Sequence, residues 1–245
     1  MLVKLDNPVL LSKAIELISE LVTEVKLSVN DFGMSITAMD PANVAMVGFK
    51  LPKIAFSQFE TTGEVLGINL DSLKRVLKRG GSGSSLILES QDNVLKIQIL
   101  GNIKRNFSLS LIQVDGEDID FNAKIANMEF SSRVGINSSD LVDCIEDCSV
   151  VSDACTFMVR EGKFVIESRG IDSARSEFSG DEAEISGEES RAKYSLEYLQ
   201  KFVKGSKLCS KTVLEFADDH PLKLNIRTDG MELSFVLAPR TETED

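Results

Sequence analysis

The chain has 245 residues, 42% of them apolar, enough for one large domain or two of ordinary size around a proper core. Charges break every apolar run well short of the roughly 18 residues a membrane-spanning helix needs, and Met1-Leu2-Val3-Lys4-Leu5-Asp6 has no signal-peptide character. The net charge of −12 excludes a protein that is basic throughout, so any nucleic-acid surface must be local.

In chain order, the first half predicts a helix over 8–25, an alternating strand over 26–29 and a turn at Asp31-Phe32-Gly33. Strands are expected at 34–38 and 44–51, then a short helix over 71–79 capped by Asn69. Strands at 86–89, 94–100 and 106–112 complete this half. Residues 114–120 are acidic with one glycine and read as an exposed connector. The second half predicts a helix over 139–155, a strand over 156–159 and a turn at Glu161-Gly162-Lys163. Strands follow at 164–168 and 174–179, a helix over 195–205 capped by Ser195, and strands at 213–217, 222–227 and 232–237.

The two halves repeat. Asn-Leu-Asp-Ser-Leu-Lys-Arg-Val-Leu-Lys-Arg from Asn69 parallels Ser-Leu-Glu-Tyr-Leu-Gln-Lys-Phe-Val-Lys-Gly from Ser195, an offset of 126 residues. Leu95-Lys96-Ile97-Gln98-Ile99 parallels Leu222-Lys223-Leu224-Asn225-Ile226 at an offset of 127. Ile15-Glu16 and Ile145-Glu146 extend the match at 130. Matched segments at nearly one offset mean two copies of one unit. Two helices per copy cannot cover both faces of so much sheet, which predicts an α+β fold with helices gathered on one face of antiparallel sheets.

The short helices carry the charge pattern of interest. Leu73, Val76 and Leu77 face the sheet, so Lys74, Arg75, Lys78 and Arg79 face away from it. The counterpart carries Lys201 and Lys204, with Lys207 and Lys211 beyond. Cationic clusters on the equivalent helix of both copies suit a phosphate-facing surface without sequence readout. The other helices differ: Lys13 stands against Glu16, Glu20 and Glu24, and Asp140, Asp143, Glu146 and Asp147 stand with no base. Catalytic signals are missing. His220 is the only histidine, and the cysteines Cys144, Cys148, Cys155 and Cys209 lack metal or redox spacing, so reduced, mostly buried thiols are expected. The Gly-rich stretch 80–85 follows a helix and precedes a strand, the reverse of a phosphate-cradling loop. No enzyme site and no cofactor or metal is expected.

Ala38-Met39-Asp40-Pro41-Ala42-Asn43-Val44-Ala45-Met46 resembles the first-domain signature of sliding clamps of the proliferating cell nuclear antigen type. Leu66-Gly67-Ile68-Asn69-Leu70 with its basic helix, Ser149-Val150-Val151-Ser152-Asp153-Ala154, and the ending Phe235-Val236-Leu237-Ala238-Pro239-Arg240 with its acidic tail resemble the same family. The likeness spans the chain and is strongest to archaeal members. It implies clamp domains over 1–113 and 123–245, a connector over 114–122, and a three-membered head-to-tail ring. Lys13, Lys74, Arg75, Lys78, Arg79, Lys201, Lys204 and Lys207 would then line the hole, facing duplex DNA. Ring closure would pair 104–111 with 172–180, using Phe107, Leu109, Leu111, Arg175 and Phe178. Partner peptides would dock in a groove of Met39, Asn43, Val44, Met46, Ile119, Phe121, Pro221, Val236, Ala238 and Pro239. Implied partners are DNA polymerase, flap endonuclease, DNA ligase and an ATP-driven clamp loader, in the cytoplasm at a prokaryotic nucleoid. Two features depart from the pattern: a connector shorter than usual and without its prolines, and an acidic helix at 140–148. A specialised subunit of a mixed trimer, or a diverged two-repeat interaction protein, is the alternative.

Overall fold

The computed structural model describes residues 1–116 and 118–241; the end of the acidic tail, 242–245, and Glu117 of the connector lie outside the described residues. The chain forms two compact units. The first comprises Met1–Pro41, Val47–Asp120 and Asp229–Leu233, and the second Ala42–Met46, Phe121–Thr228 and the residues from Ser234 on.

The first unit contains β1 (Leu2–Leu5), α1 (Val9–Ile18), β2 (Glu24–Asn30), β3 (Gly33–Met39), most of β4 (Ala45–Pro52), β5 (Gln58–Glu60), β6 (Glu64–Asn69), α2 (Leu70–Leu77), β7 (Ser85–Gln91), β8 (Val94–Leu100) and β9 (Lys104–Ser110). Strands hydrogen-bond in the orders β5-β1-β7-β8-β9 and β4-β3-β2-β6. Burial alternates along β1, β2 and β8, the signature of strands with one face on a core. Helices α1 and α2 pack together, burying Leu11, Ala14, Ile15 and Ile18 of one and Leu70, Leu73, Val76 and Leu77 of the other. Gly67 is required by a close approach: a Cβ there would lie 1.9 Å from the Ile112 carbonyl oxygen, which sits where the chain leaves β9. The amide of Ile112 donates to the Gly67 oxygen at 3.0 Å, and Lys26 holds the connector through the Gly116 oxygen and Asp118 carboxylate at 2.7 and 2.8 Å.

The second unit contains α3 (Phe121–Ala126), β10 (Ser132–Asn137), α4 (Ser138–Val151), β11 (Ala154–Arg160), β12 (Lys163–Arg169), β13 (Ser173–Phe178), β14 (Ala183–Gly187), β15 (Ser190–Ser195), α5 (Leu196–Ser206), β16 (Lys211–Phe216), β17 (Leu222–Thr228) and most of β18 (Met231–Leu237). Its strand orders are β14-β10-β16-β17-β18 and β13-β12-β11-β15, and α4 packs on α5. Aromatic rings fill the core: Phe157 meets Phe164, Tyr194 and Phe216 edge-on, and Phe202 stacks on Phe235 with centroids 4.5 Å apart.

The α+β fold with antiparallel sheets is as expected, but several boundaries are not. The helix predicted over 8–25 stops at Ile18. Ser19 turns its hydroxyl back to the Glu16 carbonyl at 2.7 Å, and Leu21 and Val22 continue the apolar pattern through a turn rather than a helix. The helix predicted over 139–155 runs instead from Ser138 to Val151, ended by Ser152 in extended backbone. Helix α2 ends at Leu77, leaving Lys78 as its C-cap and Arg79 in the following turn. Asn69 caps α2 through its side chain, which accepts from the Ser72 amide at 3.0 Å, whereas Ser195 makes no such bond for α5. Six strands (β1, β5, β6, β10, β14, β15) and helix α3 were not expected from the alternation alone.

Candidate nucleic-acid and partner-binding surfaces

In the first unit the acids Glu16 and Asp71 of the helix pair are neutralised from within. Glu16 of α1 accepts from Lys78 at 2.6 Å and from Lys13 at 3.2 Å. The hydrogen bond from Lys78, then that from Lys13, holds the Glu16 carboxyl below the usual carboxylate range. Lys74 pairs with Asp71 at 2.9 Å and bonds the Ser19 hydroxyl at 2.9 Å. Arg75 bonds only the Ser72 hydroxyl, at 3.2 Å, and makes no ion pair among the described residues; neither does the exposed Arg79. Cations therefore remain in excess on this surface.

The second unit reverses the balance. Asp140, Asp143, Glu146 and Asp147 are exposed on α4, and no cation lies within ion-pair distance of them among the described residues. On α5, Lys201 is engaged by Glu197 at 3.0 Å and lies over the Tyr198 ring, 5.1 Å from its centroid. Lys204 and Lys207 are exposed, Lys207 as the C-cap of α5. The eight cations assigned to the hole are thus on α1 and α2 of one unit and α5 of the other, or in the caps and turns that end them.

The strands assigned to ring closure are both edges. Among the described residues, β9 pairs only with β8, and β13 only with β12. Phe107, Leu109, Leu111 and Phe178 are half-buried, with the exposed residues between them polar. Arg175 reaches Glu167 at 2.9 Å and Glu177 at 3.1 Å, and Lys163 reaches Glu177 at 2.5 Å, a network along the β12–β13 surface. Open edges of this length are ready to pair with another strand.

The groove residues divide between the units. Met39 and Ile119, both half-buried, belong to the first. In the second, the Ala238 amide donates to the Val44 oxygen at 2.8 Å, which brings the half-exposed Val44 beside Ala238 and Pro239. Exposed Asn43 precedes it in the left-handed region, at φ 58°. Pro221 follows His220, whose carbonyl accepts from the buried Tyr194 hydroxyl at 2.8 Å. Burial pushes the Tyr194 pKa up, so this hydroxyl stays a donor. Met46, Val236 and Phe121 are buried, at 3%, 4% and 7% exposure, so they lie beneath the surface rather than on it. One feature escaped the sequence reading. Arg240 bonds Asp153 at 2.7 Å, holding that carboxyl low, while its amide donates to the Lys193 oxygen at 2.7 Å. These bonds fasten the segment that carries Ala238 and Pro239; the basic end of Leu-Ala-Pro-Arg and the aspartate of Ser-Asp-Ala were the signal.

His220 is exposed, with Nδ1 donating to the Asp218 oxygen at 2.6 Å. Cys144, Cys148 and Cys155 are buried and Cys209 half-buried, all as free thiols. Among the described residues no group of three or more His, Cys, Asp or Glu is placed to hold a metal, and no helix is long and apolar enough to cross a membrane.

The family model for the N-terminal domain of proliferating cell nuclear antigen matches residues 1–123. The DNA polymerase sliding clamp of Pyrococcus furiosus is 32% identical over 241 residues, covering 94% of each chain. That of Thermococcus onnurineus is 33% identical over 241 residues, covering 91% of this chain and 92% of the relative. In fold, the chain matches proliferating cell nuclear antigen from Thermococcus kodakaraensis with a TM-score of 0.89 at 24% identity, covering 98% and 99% of the two chains. The corresponding protein of Entamoeba histolytica gives 0.89 at 21% identity, covering 98% of each. With its family model spanning half the chain and relatives above 30% identity spanning nearly all of it, the chain belongs to the proliferating cell nuclear antigen family of DNA polymerase sliding clamps.

Proposed function

We propose that three copies of this chain close head to tail into a ring that encircles duplex DNA and tethers replication and repair enzymes to it. The clamp domains are 1–113 and 123–245, joined by 114–122. The observation that carries this reading is the pair of edge strands, β9 in one unit and β13 in the other, each with one strand partner among the described residues, on a chain that carries Lys74, Arg75, Lys78 and Arg79 on or just after α2 and Lys201, Lys204 and Lys207 on or just after α5. Heterologous pairing of two different edges propagates from copy to copy and can close into a ring. The cations then supply phosphate contacts that carry no sequence information, and modest contacts of that kind permit sliding. The ring does no chemistry of its own and takes no cofactor.

Polymerase, flap endonuclease and ligase would bind by short peptides at the surface around Val44, Ala238 and Pro239, and an ATP-driven loader would open the ring. The protein would work in the cytoplasm, at the nucleoid. A second reading, one subunit of a mixed ring, is favoured by one observation, the acids of α4 that make no ion pair among the described residues. Light scattering across protein concentration and salt separates the two. A species near three times 26.9 kDa is expected. A monomer at every concentration would exclude a self-sufficient ring and leave the mixed one.

A further inference from the structure

We infer that Ile171 is the apolar plug of the subunit junction, inserting into a recess at the end of β9 on a second copy of this chain. The inference rests on the ring proposed above. Ile171 sits at the tip of the β12–β13 turn with a relative exposure of 106%, the highest of any large apolar residue among those described. A turn tip between Gly170 and Asp172 is a place for polar side chains, and an isoleucine there gives up all of its burial energy in the isolated subunit.

The recess lies in the first unit, where Ile68, Leu95, Leu109, Leu111 and Ile112 enclose about 210 Å³. An isoleucine side chain fits such a space with room to spare. The two features stand at matching ends of the two open edges. Ile171 lies just before the first residue of β13, and the recess lies at the last residues of β9. They meet only if β9 and β13 of neighbouring copies run antiparallel, as do all the strand pairs within each unit whose register is described. A parallel pairing would instead carry Ile171 to the opposite end of β9, beside Ile103.

Charge identifies the occupant as a second copy. Helix α4 packs against β13, and its C-terminus meets the same turn: a Cβ on Gly170 would lie 3.1 Å from the Val151 oxygen. Helix α2 packs against β9, and its first residues, Asn69 and Ser72, line the recess. Seating the plug brings the C-terminal end of α4, whose acids have no ion-pair partner among the described residues, to the start of α2, the helix that carries Lys74 and Arg75, so the two approaching helices are opposite in sign.

The test compares the wild-type chain with Ile171→Ala, Ile171→Asp and Ile171→Leu by sedimentation and light scattering over a dilution series. Ile171→Ala should weaken each junction by about tenfold or more. Ile171→Asp should leave monomers at concentrations where the wild-type chain is trimeric, and Ile171→Leu should keep the trimer. Thermal midpoints measured on monomeric samples should be unchanged, since the side chain is fully exposed in its own subunit. A wild-type chain that never trimerises overturns the self-sufficient ring and, because the occupant is a second copy, this inference with it. A wild-type trimer that Ile171→Ala and Ile171→Asp leave equally tight overturns the plug alone.

Discussion

The two units share one plan and fill it differently. Each pairs two helices beside antiparallel sheets, yet the first core is aliphatic around Leu27, Ile36, Leu73, Leu88 and Ile97, and the second is aromatic around Phe157, Phe164, Phe202 and Phe216. Charge differs more. The Glu16 carboxylate of α1 is neutralised by two lysines within its own unit, whereas the four acids of α4 make no ion pair among the described residues. A duplication preserves the backbone pattern because register and burial demand it, while exposed charge is free to diverge with the surroundings each copy acquires.

Core substitutions should break the comparison most severely. Phe157→Ala removes a ring in contact with three others and should cost about 3–5 kcal/mol in denaturant unfolding. Leu73→Ala in the aliphatic unit should cost about 2–5 kcal/mol, with more scope for the smaller side chains to relax. Next come the helix cations. Replacing Arg75 and Arg79 together by alanine should lower the salt slope of DNA binding by about 2. Lys78→Ala and Lys201→Ala should each do less, because Lys78 is already held by Glu16 and Lys201 by Glu197 and Tyr198.

The caps offer a finer contrast. Asn69→Ala should destabilise by about 1 kcal/mol and Ser195→Ala by roughly nothing, since only Asn69 makes the capping bond. The smallest effect is electrostatic. Glu16→Gln should cost roughly 0.2–1 kcal/mol at neutral pH, because the pairs are partly exposed. With its folded pKa lowered, Glu16 contributes stability above the ordinary carboxylate pKa and loses it as pH falls through the lowered one. The difference between Glu16→Gln and the parent should therefore vanish in acid.

Much of this was legible in the sequence. Long alternating strands such as β8 and β17 and the amphipathic stripe of α2 declared themselves, because one buried face imposes a period. Short or polar strands did not: β14 reads Ala-Glu-Ile-Ser-Gly, and β5 has three residues. Helix ends were misjudged where Leu21 and Val22 kept the apolar period while the backbone turned. Charge clusters could be located but not weighed, since pairing of Glu16 with Lys78, 62 positions away, is a tertiary fact. The groove was assigned by resemblance only, and the depth of Met46, Val236 and Phe121 could not be read from it, because a motif marks a position without saying how buried its side chain is.

The most direct test of encirclement is topological. The chain would be loaded onto nicked circular plasmid by an ATP-driven clamp loader, washed in high salt, and the plasmid then cut once. The account predicts retention on the circle and release on linearisation, because the ring is held by threading and not by affinity. Retention that is the same on circular and linear DNA, and that salt alone abolishes, would contradict it.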